Sequence, residues 1–218
     1  MVTTAPQKTI VCYGDSNTWG IVPGSLTKRW APEVRWPGVV QKILGLGYRV
    51  IEEGLRGRNS SFDDPLAPPL IELNGKKLLA TIIDTHKPVE YVVLFLGTND
   101  LKYRLQLAPR DIAHSLELLA GICANPVFGS NNQPPQVLVI CPPPILEVPE
   151  NHGPQFQGGA QKSLHLHEEF AVMAKRSGVN VLYAKDFVTS DPADGIHLNE
   201  ASHAALGKAV ADWIRAHS

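Results

Sequence analysis

Ser16 follows directly on a short apolar run, in the segment Gly14-Asp15-Ser16-Asn17-Thr18. A hydroxyl there stands just past the carboxyl end of a buried strand, where α/β folds present reactive groups. Taken alone, the segment is equally an ordinary polar turn between strand and helix. Near the other end of the chain, Asp194-Gly195-Ile196-His197 precedes a helical segment. That spacing lets one turn bring the Asp194 carboxylate against the His197 ring and leaves the second ring nitrogen free. Serine, aspartate and histidine are what acyl transfer needs. The imidazole takes the serine proton, while the carboxylate holds the tautomer and stabilises the imidazolium. A helix-start histidine bonded to backbone is the competing account of His197.

Two further segments end apolar runs, Gly54-Leu55-Arg56-Gly57 and Gly97-Thr98-Asn99-Asp100. The Asn99 amide can donate to a developing oxyanion. Gly57 has no side chain, so its N–H can approach a substrate oxygen closely. Both residue types are also common in plain turns. Asp15 and Asp100 are assigned to turn hydrogen bonds rather than to acid catalysis. His165-Leu166-His167 is not read as a metal site, because i, i+2 on a helix points the rings apart. No metal and no cofactor is expected. Trp19, Trp30 and Trp36 either line an acyl or aryl pocket or belong to the core or a subunit contact.

The elements that must position these residues are short. Apolar runs at 9–13, 48–51, 91–96, 137–141 and 179–183 are continuous rather than alternating. Such runs read as strands buried on both faces, which is typical of parallel sheets. Helical spacing occupies 36–44, 76–86, 112–122, 163–173 and 200–215, and Asn199 is the expected N-cap of the last. Five strands alternating with five helices predict a three-layer α/β/α sandwich on a five-stranded parallel sheet. No repeat or linker interrupts the pattern, so one domain over 1–218 is expected. Pro and Gly, 18 each, gather in irregular stretches at 21–37, 56–75, 125–136 and 142–159. Loops this long are often functional.

Composition narrows the classes. The chain has 218 residues, 44% hydrophobic and 19% charged, which is ordinary for a globular protein and excludes bulk disorder. A net charge of -1 gives no basic surplus for nucleic acid. No apolar run is long enough to span a bilayer, and residues 1–8 do not resemble a signal peptide. Cys12, Cys123 and Cys141 form no C-x-x-C pair and read as buried reduced thiols in a cytoplasmic protein.

With these segments in order, the sequence resembles the SGNH hydrolase superfamily, the GDSL esterases and lipases, over about residues 10–210. The four blocks are Gly14-Asp15-Ser16, Gly54 to Gly57, Gly97-Thr98-Asn99-Asp100 and Asp194 to His197. It is similar, more narrowly, to the bacterial arylesterase/acyltransferase subgroup. That resemblance rests on Tyr13 to Gly20, Val34-Arg35-Trp36, Ile51 to Leu55, Phe62-Asp63-Asp64-Pro65, Leu73-Asn74-Gly75 and Asp194 to Leu198. The resemblance implies a flavodoxin-like SGNH fold and a serine esterase acting on short-chain or aryl esters. Ser16 would be the nucleophile, His197 the base and Asp194 its partner. The oxyanion hole would be the Ser16 and Gly57 N–H groups and the Asn99 amide, with Gly54 in reserve. Asn17 and Trp19 would contact substrate. The subgroup usually has Leu where this chain has Asn17, a departure that touches the pocket wall and not the chemistry. Acyl transfer to alcohols and self-association are further expectations. A small-molecule ester is the expected partner, with no nucleic acid and no membrane. The neighbouring reading is a carbohydrate O-deacetylase. Readings of other classes are a flavodoxin-like protein cradling a phosphate on Ser16, Asn17 and Thr18, and a non-catalytic module on this fold. The G-x-S-x-G elbow of α/β-hydrolases is absent from the sequence.

Overall fold

The computed structural model describes residues 7–147 and 153–218. Its strands are β1 (Lys8–Gly14), β2 (Tyr48–Gly54), β3 (Tyr91–Phe95), β4 (Gln136–Cys141) and β5 (Asn180–Tyr183). They form one sheet in the order β2-β1-β3-β4-β5, and every pair is parallel. The five apolar runs read from the sequence are these strands. The expected burial on both faces holds inside the sheet, where β3 is buried at every residue and β1 at all but Lys8, but not at its edges, where β2 and β5 are only half-buried because one side has no neighbouring strand.

The helices are α1 (Ser16–Trp19), α2 (Trp36–Leu44), α3 (Gly75–His86), α4 (Pro109–Cys123), α5 (Gly159–Ser163), α6 (Leu166–Ser177) and α7 (Glu200–Ala216). Strand alternation divides the core in two. Val11 and Tyr13 of β1, with Val92 and Leu94 of β3, face Leu79 and Ile83 of α3, Leu116 of α4 and Phe170 of α6. Ile10 and Cys12, with Val93 and Phe95, face Trp36 and Val40 of α2 and Leu206, Val210 and Ile214 of α7. Each such large side chain contributes about 1.5–3 kcal/mol when fully buried. Trp36 belongs to this second core: it is wholly buried, edge-on to Phe95 at 6.3 Å between ring centroids.

Helix ends follow local chemistry. Asn74 Oδ1 accepts the Lys76 N–H at 3.0 Å and starts α3. Asn199 Oδ1 accepts the Ser202 N–H at 2.9 Å and starts α7, as its sequence position suggests. Pro109 occupies the first turn of α4, and Asp111 reaches back to the Ala108 N–H. One expectation is corrected. The helix read at 163–173 is broken between α5 and α6. The Ser163 hydroxyl donates to the Ala160 carbonyl and accepts the Ile145 N–H, tying α5 to the segment that leaves β4. His165 therefore precedes α6 and does not share a helix with His167.

The strand order carries the consequence for function. β1 lies between β2 and β3, so the chain leaves β1 toward one side and later returns on the other. A crevice opens outside the carboxyl ends at such a switch point. Gly14 is in register with both Gly54 and Phe95, so three strand ends finish level beneath that crevice. Among the described residues no helix is long and apolar enough to cross a membrane. Cys12, Cys123 and Cys141 are buried free thiols.

Candidate active site

The segment after β1 folds at once into α1, with Ser16 as its first residue. Asp15 caps it, Oδ1 accepting the Asn17 N–H at 2.9 Å. Gly20, at φ +83°, ends it and donates to the Ser16 carbonyl. Two glycines allow α1 to sit directly on the strand ends. A Cβ on Gly14 would lie 2.0 Å from Thr18 Oγ1, and one on Gly54 would lie 2.3 Å from the Trp19 backbone nitrogen. Gly54 thus packs against α1, and it is not among the residues that border the cleft.

The Asp194 carboxylate organises the segment before α7. Oδ1 accepts the N–H groups of Ile196 and His197 at 3.0 and 2.9 Å. Oδ2 accepts the Gly24 N–H at 2.9 Å and lies 2.7 Å from His197 Nδ1. Burial opposes ionisation of Asp194, but the imidazole and these N–H groups outweigh it and hold the carboxyl well below the usual range. The other ring nitrogen, His197 Nε2, is 2.9 Å from Ser16 Oγ. The structure therefore brings Ser16, His197 and Asp194 into one hydrogen-bonded line.

Asn99 and Gly57 border the same cleft as Ser16 and His197. Asn99 Nδ2 lies 3.4 Å from Asp15 Oδ2, so the capping aspartate also orients the amide. Gly57 adopts φ +82°, a conformation glycine permits. Among the described residues, no internal acceptor takes the N–H of Ser16 or of Gly57. Asp100 lies behind the cleft and accepts from the Ser60 N–H and hydroxyl. Burial pushes Asp100 up to about 6 against those bonds. Asp15 is also pushed up to about 6 by burial, opposed by the Asn17 N–H.

The cleft holds about 230 Å³. Ile21, Leu26, Phe156 and Ile196 form its apolar wall. Of the other apolar residues of the 142–159 loop, Ile145 is buried beside Ser163 and Leu146 is outside the lining, while Val148 lies outside the described residues. Asn17 and Trp19 do not line the cleft, contrary to the expectation from sequence. Asn17 points inward, where its Oδ1 accepts the Leu198 N–H at 3.1 Å. Trp19 lies beneath two guanidiniums, those of Arg29 at 4.8 Å and Arg56 at 5.1 Å from the ring centroid. Trp30 directs its indole N–H to the Leu198 carbonyl, and Trp36 is core, so neither is a pocket wall. Thr18 is wholly buried, so Ser16, Asn17 and Thr18 form no phosphate cradle.

Arg56 and Lys102 also border the cleft. Arg56 sits inside a segment the sequence singles out, but for its glycines. Nothing in the sequence pattern marks Lys102, whose buried ammonium is placed by Asp64 from a different loop. Among the described residues no three His, Cys, Asp or Glu side chains cluster as metal ligands would.

The chain has recognisable relatives. An aryl esterase from M. smegmatis is 39% identical over 96% of this chain and 99% of its own, with a TM-score of 0.89. A carbohydrate acetylesterase from Sinorhizobium meliloti is 36% identical over 97% and 100%, with a TM-score of 0.90. A second carbohydrate acetylesterase family member from that organism is 31% identical over 96% and 98%, with a TM-score of 0.87. Among curated proteins, none matches the sequence. The model of the GDSL-like lipase/acylhydrolase family matches residues 12–205, nearly the whole span from β1 to α7. On that match and those structural likenesses, the chain belongs to the GDSL-like lipase/acylhydrolase family, the SGNH hydrolases.

Proposed function

We propose that this SGNH hydrolase cleaves short-chain or aryl carboxylic esters through an acyl-enzyme on Ser16. The observation that carries the reading is the line Asp194–His197–Ser16, whose last two members border a cleft with Asn99 and Gly57. Asp194 accepts a hydrogen bond from the Nδ1–H of His197 and so keeps Nε2 free to take the Ser16 proton. Oγ then adds to the ester carbonyl carbon. The oxygen gathers charge facing the N–H groups of Ser16 and Gly57 and the Asn99 amide. Collapse breaks the bond to the alkoxide, which takes the proton from His197. Water, deprotonated by the same nitrogen, attacks the acyl carbonyl and releases the acid, and the proton returns to Ser16. An alcohol taking the place of that water gives a new ester.

The small volume of the cleft supports short acyl chains. Likeness to carbohydrate acetylesterases favours a second reading, removal of acetyl groups from sugars on the same residues. The deciding experiment is a panel of p-nitrophenyl and naphthyl esters of rising chain length beside acetylated xylo-oligosaccharides. Preference for acetyl and aryl esters supports the first reading, and faster release of acetate from the oligosaccharides supports the second. Hydrolysis of neither sinks both. The same reading holds the chain to be one cytoplasmic domain that self-associates. The exposed Leu66, Leu70 and Ile71 support the association, and the three buried thiols the compartment.

A further inference from the structure

The cleft is bordered by two cations, Arg56 and Lys102, and by no carboxylate among the described residues. Lys102 is already matched. Its ammonium donates to Asp64 Oδ2 at 3.1 Å and to the Gly57 carbonyl at 3.4 Å. Asp64 is itself shared, because Arg104 binds the same carboxylate through contacts of 2.7 and 2.6 Å. Two cations thus face one anion there. Arg56 has no carboxylate partner at all among the described residues. Its Nη1 donates to the Leu26 carbonyl at 2.5 Å, and its guanidinium lies over the Trp19 ring. Arg29, stacked on the same ring, differs in being paired with Glu52.

The contacts to Leu26 and Trp19 hold the Arg56 head in place without neutralising it. A guanidinium carries five N–H donors in a fixed fork suited to a carboxylate, and Leu26 occupies only one of its nitrogens. Arg56 also adjoins Gly57 and borders the same cleft as Ser16. We infer that Arg56 is an anion subsite of the cleft, and that the preferred esters carry a carboxylate a few bonds from the scissile carbonyl. Lys102 supplies background positive potential, and Arg56 the bidentate contact. This inference rests on the ester-hydrolase reading above and names the substrate class within it.

The carboxylate has two possible sources, the acyl group or the leaving alcohol, and two ester pairs separate them. On the acyl side, mono-p-nitrophenyl glutarate is compared with p-nitrophenyl pentanoate. On the alcohol side, 4-acetoxybenzoate is compared with its methyl ester. The readout is the ratio of kcat/KM for the anionic ester to that for its neutral partner. In at least one pair, Arg56→Gln should lower that ratio about tenfold, the scale of one charge-assisted hydrogen bond. Arg56→Glu should lower it further, and Arg56→Lys should keep part of it. The wild-type ratio should also fall as sodium chloride is raised. The pair that responds identifies the side. Ratios equal in all four proteins for both pairs overturn the inference while leaving ester hydrolysis standing. If the wild type turns over no ester, calorimetric binding of 4-hydroxybenzoate decides. Binding weakened by Arg56→Gln keeps the subsite and discards the esterase reading, and equal binding discards both.

Discussion

His197 Nε2 stands 2.9 Å from Ser16 Oγ across 181 positions of sequence, and the next residue of each segment repeats the pairing. The Leu198 N–H donates to Asn17 Oδ1 at 3.1 Å. Two adjacent cross-links therefore join the turn after β1 to the turn before α7. One is positioned for chemistry, and the other fixes the separation at which that chemistry occurs. The Asp194 carboxylate adds the third constraint by accepting the backbone N–H groups of Gly24, Ile196 and His197.

If these residues act as a unit, their losses do not multiply. Ser16→Ala and His197→Ala should each lower kcat on p-nitrophenyl acetate by roughly 10³ or more. Thermal unfolding should stay close to wild type, and the double variant should be little worse than either single one. Multiplicative losses would count against a shared proton path.

Which parts of this arrangement were legible in the sequence follows from how local their causes are. β3 could be read because burial on both faces forces a continuous apolar run, and α7 because Asn199 caps it from the adjacent residue. Ser16, Asn99, Asp194 and His197 could be read because each follows or precedes such an element in a recognisable block. The break at Leu164 and His165 could not, since it comes from the Ser163 hydroxyl reaching Ile145, 18 positions away. The inward turn of Asn17 depends on Leu198, and the placement of Lys102 on Asp64, which lies 38 positions earlier. One of the two guanidiniums over Trp19 belongs to Arg56, on a different strand end. Such partners are fixed by the sheet order, which no local pattern encodes.

Asn99 should act on the transition state more than on binding. Its amide is held by Asp15 and borders the cleft beside Ser16. Asn99→Ala should lower kcat by about 10² to 10³ with a modest change in KM. A pure KM effect would make Asn99 a substrate-binding residue instead.

Buried Asp100 gives a pH signature in stability. Burial, opposed by the Ser60 hydrogen bonds, pushes its carboxyl up to about 6. The folded state then holds this proton more tightly than the unfolded chain, whose Asp titrates near 3.9. The contribution to stability is fully present below about pH 4 and is lost as pH rises through about 6. Asp194 and Asp64 work in the opposite sense, because hydrogen bonds outweighing burial hold them low, and their contribution is lost as pH falls. Asp100→Asn removes the Asp100 effect and eases the similar one at Asp15, whose carboxyl the Asp100 charge helps to raise, so both changes act in the same sense. The Tm of Asp100→Asn minus that of wild type should therefore rise between about pH 4 and pH 8. The gain should be about 1–3 kcal/mol, or roughly 3–10 °C in Tm. A difference constant across that range would mean that Asp100 is ionised throughout.

The last prediction concerns what takes the acyl group. After Ser16 is acylated, water and an alcohol compete for the same imidazole, and the wall of the cleft decides between them. Ile21, Leu26, Phe156 and Ile196 give that wall an apolar stretch that cannot order a water, beside the polar Ser25, Gln155, Arg56 and Lys102. Added benzyl alcohol should therefore compete measurably with water for the acetyl group of vinyl acetate. Phe156→Ser places a hydroxyl in the wall and should lower the ratio of ester to acid. Asn17→Leu is the contrasting variant. Its side chain faces Leu198 rather than the cleft, so the ratio should stay where it is in wild type. Its kcat should fall instead, because the Leu198 N–H loses its acceptor and His197 is no longer held at its distance from Ser16. The loss should be about tenfold, the scale of one buried hydrogen bond. Stability should change less than for a simple loss of that bond, because among the described residues the buried Asn17 Nδ2 has no partner, and Leu removes that cost. A ratio that moves with Asn17 and not with Phe156 would place the acyl acceptor on the α1 side of the cleft and sink this account. Only acid from wild type and both variants would leave plain hydrolysis.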